Sequence, residues 1–465
     1  MILVNHDGEI LAKAYRELTQ YYPQPGWVEH KPQEIWQTVI DCISELRINY
    51  SGAIEALGIT NQRETTVIWD AETGEPIFNA IVWQCRRTAP ICKALEPSRS
   101  LIQEKTGLAL DAYFSGSKAQ WILENASTAE HQKLKFGTID TWLIWKLTGG
   151  LVHATDATNA SRTMLYNIHN KAWDQELCEL MNIPMDILPQ VKNSAADFGK
   201  VSSLTEIENV PIRGVAGDQQ ASLFGQQCFL RGEVKNTYGT GCFIMMNTGN
   251  EAIHSEHGLL TTLAADPSGR PCYALEGSIF IAGAAIQWLR DELGLIEKAA
   301  ESEVAALAVP DNGGVYLVPA FSGLGAPHWN MDARGTLSGL TRGSNKNHII
   351  RASLEAMAYQ THDVLRAMEQ DAGFKIRSLA VDGGASENGF LMQFQADILN
   401  ITIERAHKIE TTALGAAYLA GIDIGFWTQS ELKSFSEKKT LFSPEISEVL
   451  RKKYLAGWRE ALEKV

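Results

Sequence analysis

The sequence contains no uninterrupted run of eighteen apolar residues, so a membrane-spanning helix is not expected. Met1 is followed by no basic stretch leading into an apolar one, so a secretory leader is not expected either. Cysteine is sparse: seven residues, an odd number without paired spacing, fit a reducing cytosol rather than a disulfide framework. Cys85 and Cys92 stand too far apart for a zinc knuckle and have no second half. Positive charge is in deficit, with a formal net charge of −14, which argues against nucleic acid or an anionic membrane as partner. The Gly-x-Gly-x-x-Gly fingerprint of dinucleotide folds and the Gly-Lys-Ser/Thr of a P-loop are both missing. What remains is an ordinary globular composition, 45% hydrophobic and 21% charged over 465 residues, a length that favours two sizeable domains.

The chain is organised around Gly214-Val215-Ala216-Gly217-Asp218-Gln219-Gln220. The small residues read as a buried strand, and Ala221, Leu223 and Phe224 as the start of a helix. A carboxylate at such a junction, preceded by glycine, can be approached closely by a ligand. It can equally be a plain helix N-cap. Two further glycine turns favour the first reading. Lys235 to Phe243 reads as strand, turn and strand, with Gly239-Thr240-Gly241 able to aim several N–H groups and a hydroxyl at one phosphate. Val381-Asp382-Gly383-Gly384-Ala385 ends a strand, and Asn388 opens a helix beyond it.

Elsewhere the pattern is mixed α/β. Met1 to Tyr15 reads as a hairpin turning at Asn5 to Gly8, and Pro32 opens a helix with Ile35, Trp36, Val39, Ile43 and Leu46 on one stripe. Asp140 is placed to cap a helix over 141–147, Asn347 to cap a long helix, and 279–293 reads as helical. Residues 173–180 read as helix, and 197–211 as a polar connection without internal structure. The Ala- and Gly-rich helix over 412–421 can pack very closely against a neighbour. Arg63 and Glu64 interrupt a β segment. They are a surface ion pair or, since hydroxyls both donate and accept, a clamp for a polyol. Trp83 and Tyr113 are either core or a flat wall for a carbon chain.

The stretches Gly58-Ile59-Thr60-Asn61-Gln62-Arg63-Glu64-Thr65, Ile81-Val82-Trp83-Gln84-Cys85-Arg86-Arg87-Thr88, Gly217-Asp218-Gln219-Gln220, Asn236 to Phe243 and Val381 to Ala385 together resemble the FGGY carbohydrate kinases, in their glycerol-phosphorylating branch. The likeness runs from near residue 2 to the C-terminus. It implies an α/β, two-domain actin-like ATPase (ribonuclease H-like) fold with an interdomain cleft. A substrate-binding domain would span 1–225 and a nucleotide-binding domain 226–465. It implies ATP-dependent phosphorylation of glycerol to sn-glycerol 3-phosphate in the cytoplasm, by a homodimer or homotetramer. Arg63, Glu64, Tyr113, Asp218 and Gln219 would hold the hydroxyls, Trp83 and Phe243 would line the carbon side, and Asp218 would be the general base. Thr240, Gly241, Gly283, Gln287, Gly384 and Asn388 would hold ATP. Mg²⁺ would bridge phosphate oxygens, with Asp218 as a contact through water.

One departure qualifies the resemblance. The family begins with a strand and an Asp-x-Gly-Thr-Thr-Ser loop before the strand seen here as Met1 to Val4, and this chain contains no such stretch. The first strand of domain 1 is therefore expected to be absent, leaving two unpaired edges. Transfer by the chain as written is expected to be slowed by roughly 10⁴-fold or more through lost phosphate donors, with a start site placed too late as the cause. The alternatives are a kinase for another polyol or sugar of the same fold and a non-catalytic nucleotide-binding protein. An NAD-dependent oxidoreductase ranks below both because the fingerprint is missing.

Overall fold

The computed structural model describes residues 1–126, 133–407, 410–435 and 439–465. The chain opens on the expected hairpin, Ile2–Val4 antiparallel to Ile10–Lys13. Leu57–Asn61 pairs in parallel with Ile212–Gly217, the strand that leads to Asp218. Among the described residues no strand joins these two pairs. The helix Thr411–Asp423 lies against both of them. It comes so close because the facing positions are glycine. A Cβ on Gly58 would stand 2.3 Å from the Ala416 carbonyl oxygen, and one on Gly214 2.6 Å from it. The Ala/Gly-rich helix thus packs on strands, and Gly415 also seats it on the helix Asp218–Gly225.

A four-stranded sheet, ordered Glu29–His30, Ala80–Ile81, Thr66–Asp70 and Leu134–Thr138, completes the first half. Trp69 and Trp142 are fully buried beneath it at 5.4 Å, edge to face. The second half is built on a seven-stranded sheet. Its order is Leu260–Leu263, Tyr273–Ile279, Cys242–Gly249, Val234–Tyr238, Ser378–Asp382, Thr402–Ala406 and Lys439–Phe442. The long helix Lys346–Ala372 packs against it through Ile350, Leu354, Met357 and Leu365, each such side chain contributing about 1.5–3 kcal/mol by leaving water. Val234–Tyr238 and Ser378–Asp382 run parallel with Thr237 opposite Asp382, so both glycine turns emerge at the same end of the sheet.

Several local expectations are corrected. Asp140 does not cap its helix. Thr138 holds that position, and Asp140 lies inside the first turn, fully buried, accepting from the Thr138 and Thr155 hydroxyls. Asn345, not Asn347, caps the long helix, because its side chain reaches the Asn347 N–H in a capping box with His348. Ile279 ends a strand, and the helix starts only at Gly283. Trp173 lies in a short strand, with helix only from Gln175. Residues 197–211 contain a 3₁₀ turn at Thr205–Ile207 and bury Phe198, Val201 and Leu204, so that connection is partly core.

Candidate active site

Arg63 and Glu64 occupy the turn between Leu57–Asn61 and Thr66–Asp70. Glu64 has φ +60°, a left-handed conformation that a non-glycine residue holds only when its surroundings fix it. The fixing is visible: its carbonyl accepts from Thr66 Oγ1 at 3.0 Å, Ser115 Oγ at 3.1 Å and Lys118 Nζ at 3.4 Å. The turn aims both charged side chains inward, at 2% exposure each. The surface ion pair is therefore ruled out.

Asp218 is the first residue of the helix Asp218–Gly225, with Gly217 before it as the cap. Its Oδ1 accepts from the Gln219 N–H at 2.8 Å and lies 3.2 Å from Arg63 Nε. Its Oδ2 accepts from Gln219 Nε2 at 3.2 Å. The Asp218 side chain is 33% exposed, the most open of the carboxylates around Arg63. Gly217 is needed here, since a Cβ would stand 2.7 Å from Arg63 Cγ. Gln219 in turn accepts through Oε1 from Lys235 Nζ, which also donates to Thr237 Oγ1 at 3.0 Å and the Phe243 carbonyl at 3.2 Å. Burial pushes the Lys235 ammonium down to about 8, against the pull of Asp382 and Asp218.

Trp83, Tyr113 and Phe243 form the apolar wall. Trp83 meets Tyr113 edge-on at 5.5 Å and Phe243 at 6.2 Å. Phe243 faces Thr237 across the glycine hairpin, so the wall and the Gly239-Thr240-Gly241 turn share one pair of strands.

On that turn Gly239 and Thr240 are exposed. The Thr240 carbonyl accepts from the Ala282 and Ala284 N–H groups at 2.9 and 3.1 Å, and Gly283 N–H donates to the Gly239 carbonyl at 3.1 Å. Side chains are excluded: a Cβ on Gly241 would stand 2.3 Å from the Ile279 carbonyl oxygen, and one on Gly283 2.6 Å from that of Gly239. Gln287 lies exposed one turn beyond Gly283 on the same helical face. Gly383 has φ +85° and abuts the Tyr238 backbone, which ties the second turn to the first. Gly384 faces open space, since a Cβ there meets nothing within 4 Å. Asn388 caps its helix through Leu391 N–H at 2.9 Å and donates to Ser302 Oγ at 3.2 Å.

Four residues were not picked out from sequence. Asp382 Oδ2 accepts from Ser222 Oγ at 3.0 Å, Gln226 Nε2 at 2.9 Å and the Thr411 hydroxyl, while its buried Oδ1 has no partner. Its signal is an acid at a strand end before two glycines. Lys235 opens the hairpin stretch. Glu276 and Arg162 carry no local pattern, yet both are fully buried on the far side of Arg63 and Glu64. Burial works against the charge on Arg63, and Glu276 then Glu64 outweigh it and hold the guanidinium protonated. Burial lifts Glu64 above the usual carboxylate range despite Arg162 and Arg63. A groove of about 300 Å³ lined by Asp7, Glu9, Gln227, His407, Tyr418 and Phe435, among others, adjoins this cluster through Gln226 and Thr411, the partners of Asp382.

The arrangement offers hydroxyl donors and acceptors beside an open carboxylate, with two glycine turns at the neighbouring strand ends. Residues 1–225 match the N-terminal domain, and 234–424 the C-terminal domain, of the FGGY family of carbohydrate kinases. The chain is 56% identical over 473 residues to a glycerol kinase of Petrotoga mobilis, covering 100% of this chain and 95% of that protein. It is 57% identical over 474 residues to one of Symbiobacterium thermophilum, with the same coverage. A crystal structure of Plasmodium falciparum glycerol kinase with ADP superposes with a TM-score of 0.93 at 37% identity, over 100% of this chain and 95% of that one. A ligand-bound xylulose kinase from Lactobacillus acidophilus shares the fold, with a TM-score of 0.90 at 22% identity over 99% of this chain and 94% of that one. The chain belongs to the FGGY family of carbohydrate kinases, with their two-domain actin-like ATPase fold.

Proposed function

We propose that this chain transfers the γ-phosphoryl group of ATP to a terminal hydroxyl of glycerol, giving sn-glycerol 3-phosphate. The observation that carries the reading is Arg63 Nε set 3.2 Å from the half-open Asp218 carboxylate, beside the Trp83–Tyr113 pair. The identity of 56–57% to glycerol kinases over the whole chain supports it.

Arg63 and Glu64 bind hydroxyls as donor and acceptor, with Tyr113 and Gln219 adding polar atoms. Trp83 and Phe243 cover the carbon chain. Asp218 takes the proton from the attacking hydroxyl as the oxygen–phosphorus bond forms and the bond to ADP breaks. Thr240 and Gly241 offer backbone N–H groups and a hydroxyl to the phosphates, Gly283 lets its helix pack close against that turn, Gly384 leaves room for the nucleotide, and Gln287 and Asn388 contact it from their helices.

Mg²⁺ keeps several waters and takes one or two carboxylates plus phosphate oxygens. Among the described residues no group of three or more His, Cys, Asp or Glu could hold a metal, whereas the charges of Asp218 and Asp382 both act on Lys235 and Asp382 Oδ1 is unpaired. That sparse set fits a hydrated ion held largely by substrate phosphates. When bound, the ion neutralises phosphate charge.

The reading divides the chain at residue 225 and takes it to form a homodimer or homotetramer, which sedimentation reads directly. It places the enzyme in the cytoplasm, where its seven buried free cysteines stay reduced. The test is a panel of glycerol, xylulose and gluconate with ATP. Glycerol is expected to give the highest kcat/KM, and preference for either sugar substrate overturns the assignment.

A further inference from the structure

Glu276 lies in the middle of the strand Tyr273–Ile279, within the seven-stranded sheet of the second half, paired to Met245 on one side and Leu260 on the other. It is the acid around which two arginines of the first half converge. Arg63 grips it with both terminal nitrogens, Nη1 to Oε2 at 2.5 Å and Nη2 to Oε1 at 2.9 Å. Arg162 Nη2 donates to the same Oε1 at 2.9 Å, and Arg162 Nε donates to Glu64 Oε1 at 2.6 Å. All four side chains are at most 2% exposed. The contacts form a chain, Arg63 to Glu276 to Arg162 to Glu64, whose two ends are the donor and acceptor assigned to the polyol.

The geometry has a directional consequence. A guanidinium held through both terminal nitrogens has its plane fixed. With Nη1 also on Gln220 Oε1 at 3.2 Å, the Arg63 edge left toward the open carboxylate is Nε, which lies 3.2 Å from Asp218 Oδ1. On the other arm, Arg162 sets the Glu64 carboxylate. Stability alone is a poor reason for this network. A buried ion cluster typically gains little over apolar residues of the same volume, and here Arg162 Nη1 is left buried with no partner. Burial would push the Glu276 carboxyl up, but Arg162 and Arg63 draw it down to about 2, so it stays ionised at working pH.

We propose that Glu276 is a positioning residue for the polyol: through Arg63 directly and through Arg162 to Glu64, it orients the hydroxyl-binding pair without touching substrate. This rests on the glycerol reading above. Because Glu276 belongs to the sheet that carries the phosphate turns, it also registers the hydroxyl-binding turn against them.

The test measures glycerol binding by calorimetry, and KM for glycerol and for ATP, in the wild type, Glu276→Gln and Glu276→Asp. Glu276→Gln removes the charge. Glu276→Asp keeps it but withdraws the carboxylate by one methylene, so the two-nitrogen grip on Arg63 is lost. The expected result is a glycerol Kd and KM raised by roughly 30-fold or more in Glu276→Gln, a smaller rise in Glu276→Asp, and an ATP KM within about twofold of wild type. If Glu276→Gln fails to fold, Glu276→Asp decides by the same split. Folded variants with unchanged glycerol parameters, or with both KM values raised equally, overturn the proposal, as does failure of both variants to fold. Wild-type protein that neither binds nor phosphorylates glycerol overturns the glycerol reading instead.

Discussion

Asp218 Oδ1 lies 3.2 Å from Arg63 Nε, yet the two side chains differ sharply in exposure, 33% against 2%. In the proposed reaction an entering hydroxyl meets the carboxylate from the open side, with the guanidinium already fixed behind it. Pre-set charge of this kind needs no reorganisation when the proton moves. The same contact explains why glycine precedes the acid, because a side chain at Gly217 would push Arg63 away.

Trp83 touches both Tyr113 and Phe243 and is only partly buried, so its free surface is available to a carbon chain. Trp83→Ala is expected to raise the glycerol KM by about tenfold, with kcat lowered less, because the lost contact acts alike in the ground and transition states. Steady-state kinetics at saturating ATP checks this.

Two glycines should respond oppositely to alanine. A Cβ on Gly415 would stand 1.8 Å from the Ala221 carbonyl oxygen, backbone against backbone, so Gly415→Ala is expected to destabilise by about 3 kcal/mol or more. At Gly384 a Cβ meets nothing, so Gly384→Ala should leave stability within about 0.5 kcal/mol of wild type while raising the ATP KM. Denaturant melts and ATP titrations of the two variants separate packing from nucleotide binding.

The parts of this site that were legible in the sequence are those with local grammar. Small residues followed by Asp218, the Gly239-Thr240-Gly241 turn and the Asp382-Gly383-Gly384 turn each announce a strand end. Arg63 and Glu64 stood out because two adjacent charges do not suit a strand, and the structure resolves the conflict with the left-handed turn at Glu64. Glu276 was not legible: its partner Arg63 is 213 residues away, and one acid in a short run of small and apolar residues forms no pattern. Asp140 was misread as a cap because Asp beside a helix start usually is one. Its real partners are the hydroxyls of Thr138 and Thr155, the second supplied by a segment beyond its own helix.

His153 gives a pH signature. Its Nε2–H donates to the Phe136 carbonyl oxygen at 2.8 Å, and its ring stands edge-on to Trp69 at 5.5 Å. Burial pushes its pKa down to about 4, so the unfolded chain takes up the proton at a higher pH than the folded one. The stability it contributes is present above about pH 6.5 and is lost as pH falls from there through about 4. The loss amounts to about 3 kcal/mol at the acid end. Denaturant melts across that window should slope less steeply for His153→Gln than for wild type.

The assignment of Asp218 as the base is tested most directly by following glycerol 3-phosphate formation from glycerol and ATP by ³¹P NMR in the wild type and in Asp218→Asn, with glycerol affinity measured in parallel. The expected result is product formation slowed by about 10²–10⁴-fold or more in Asp218→Asn, with glycerol affinity within a few-fold of wild type. Near-normal product formation by Asp218→Asn would contradict the account.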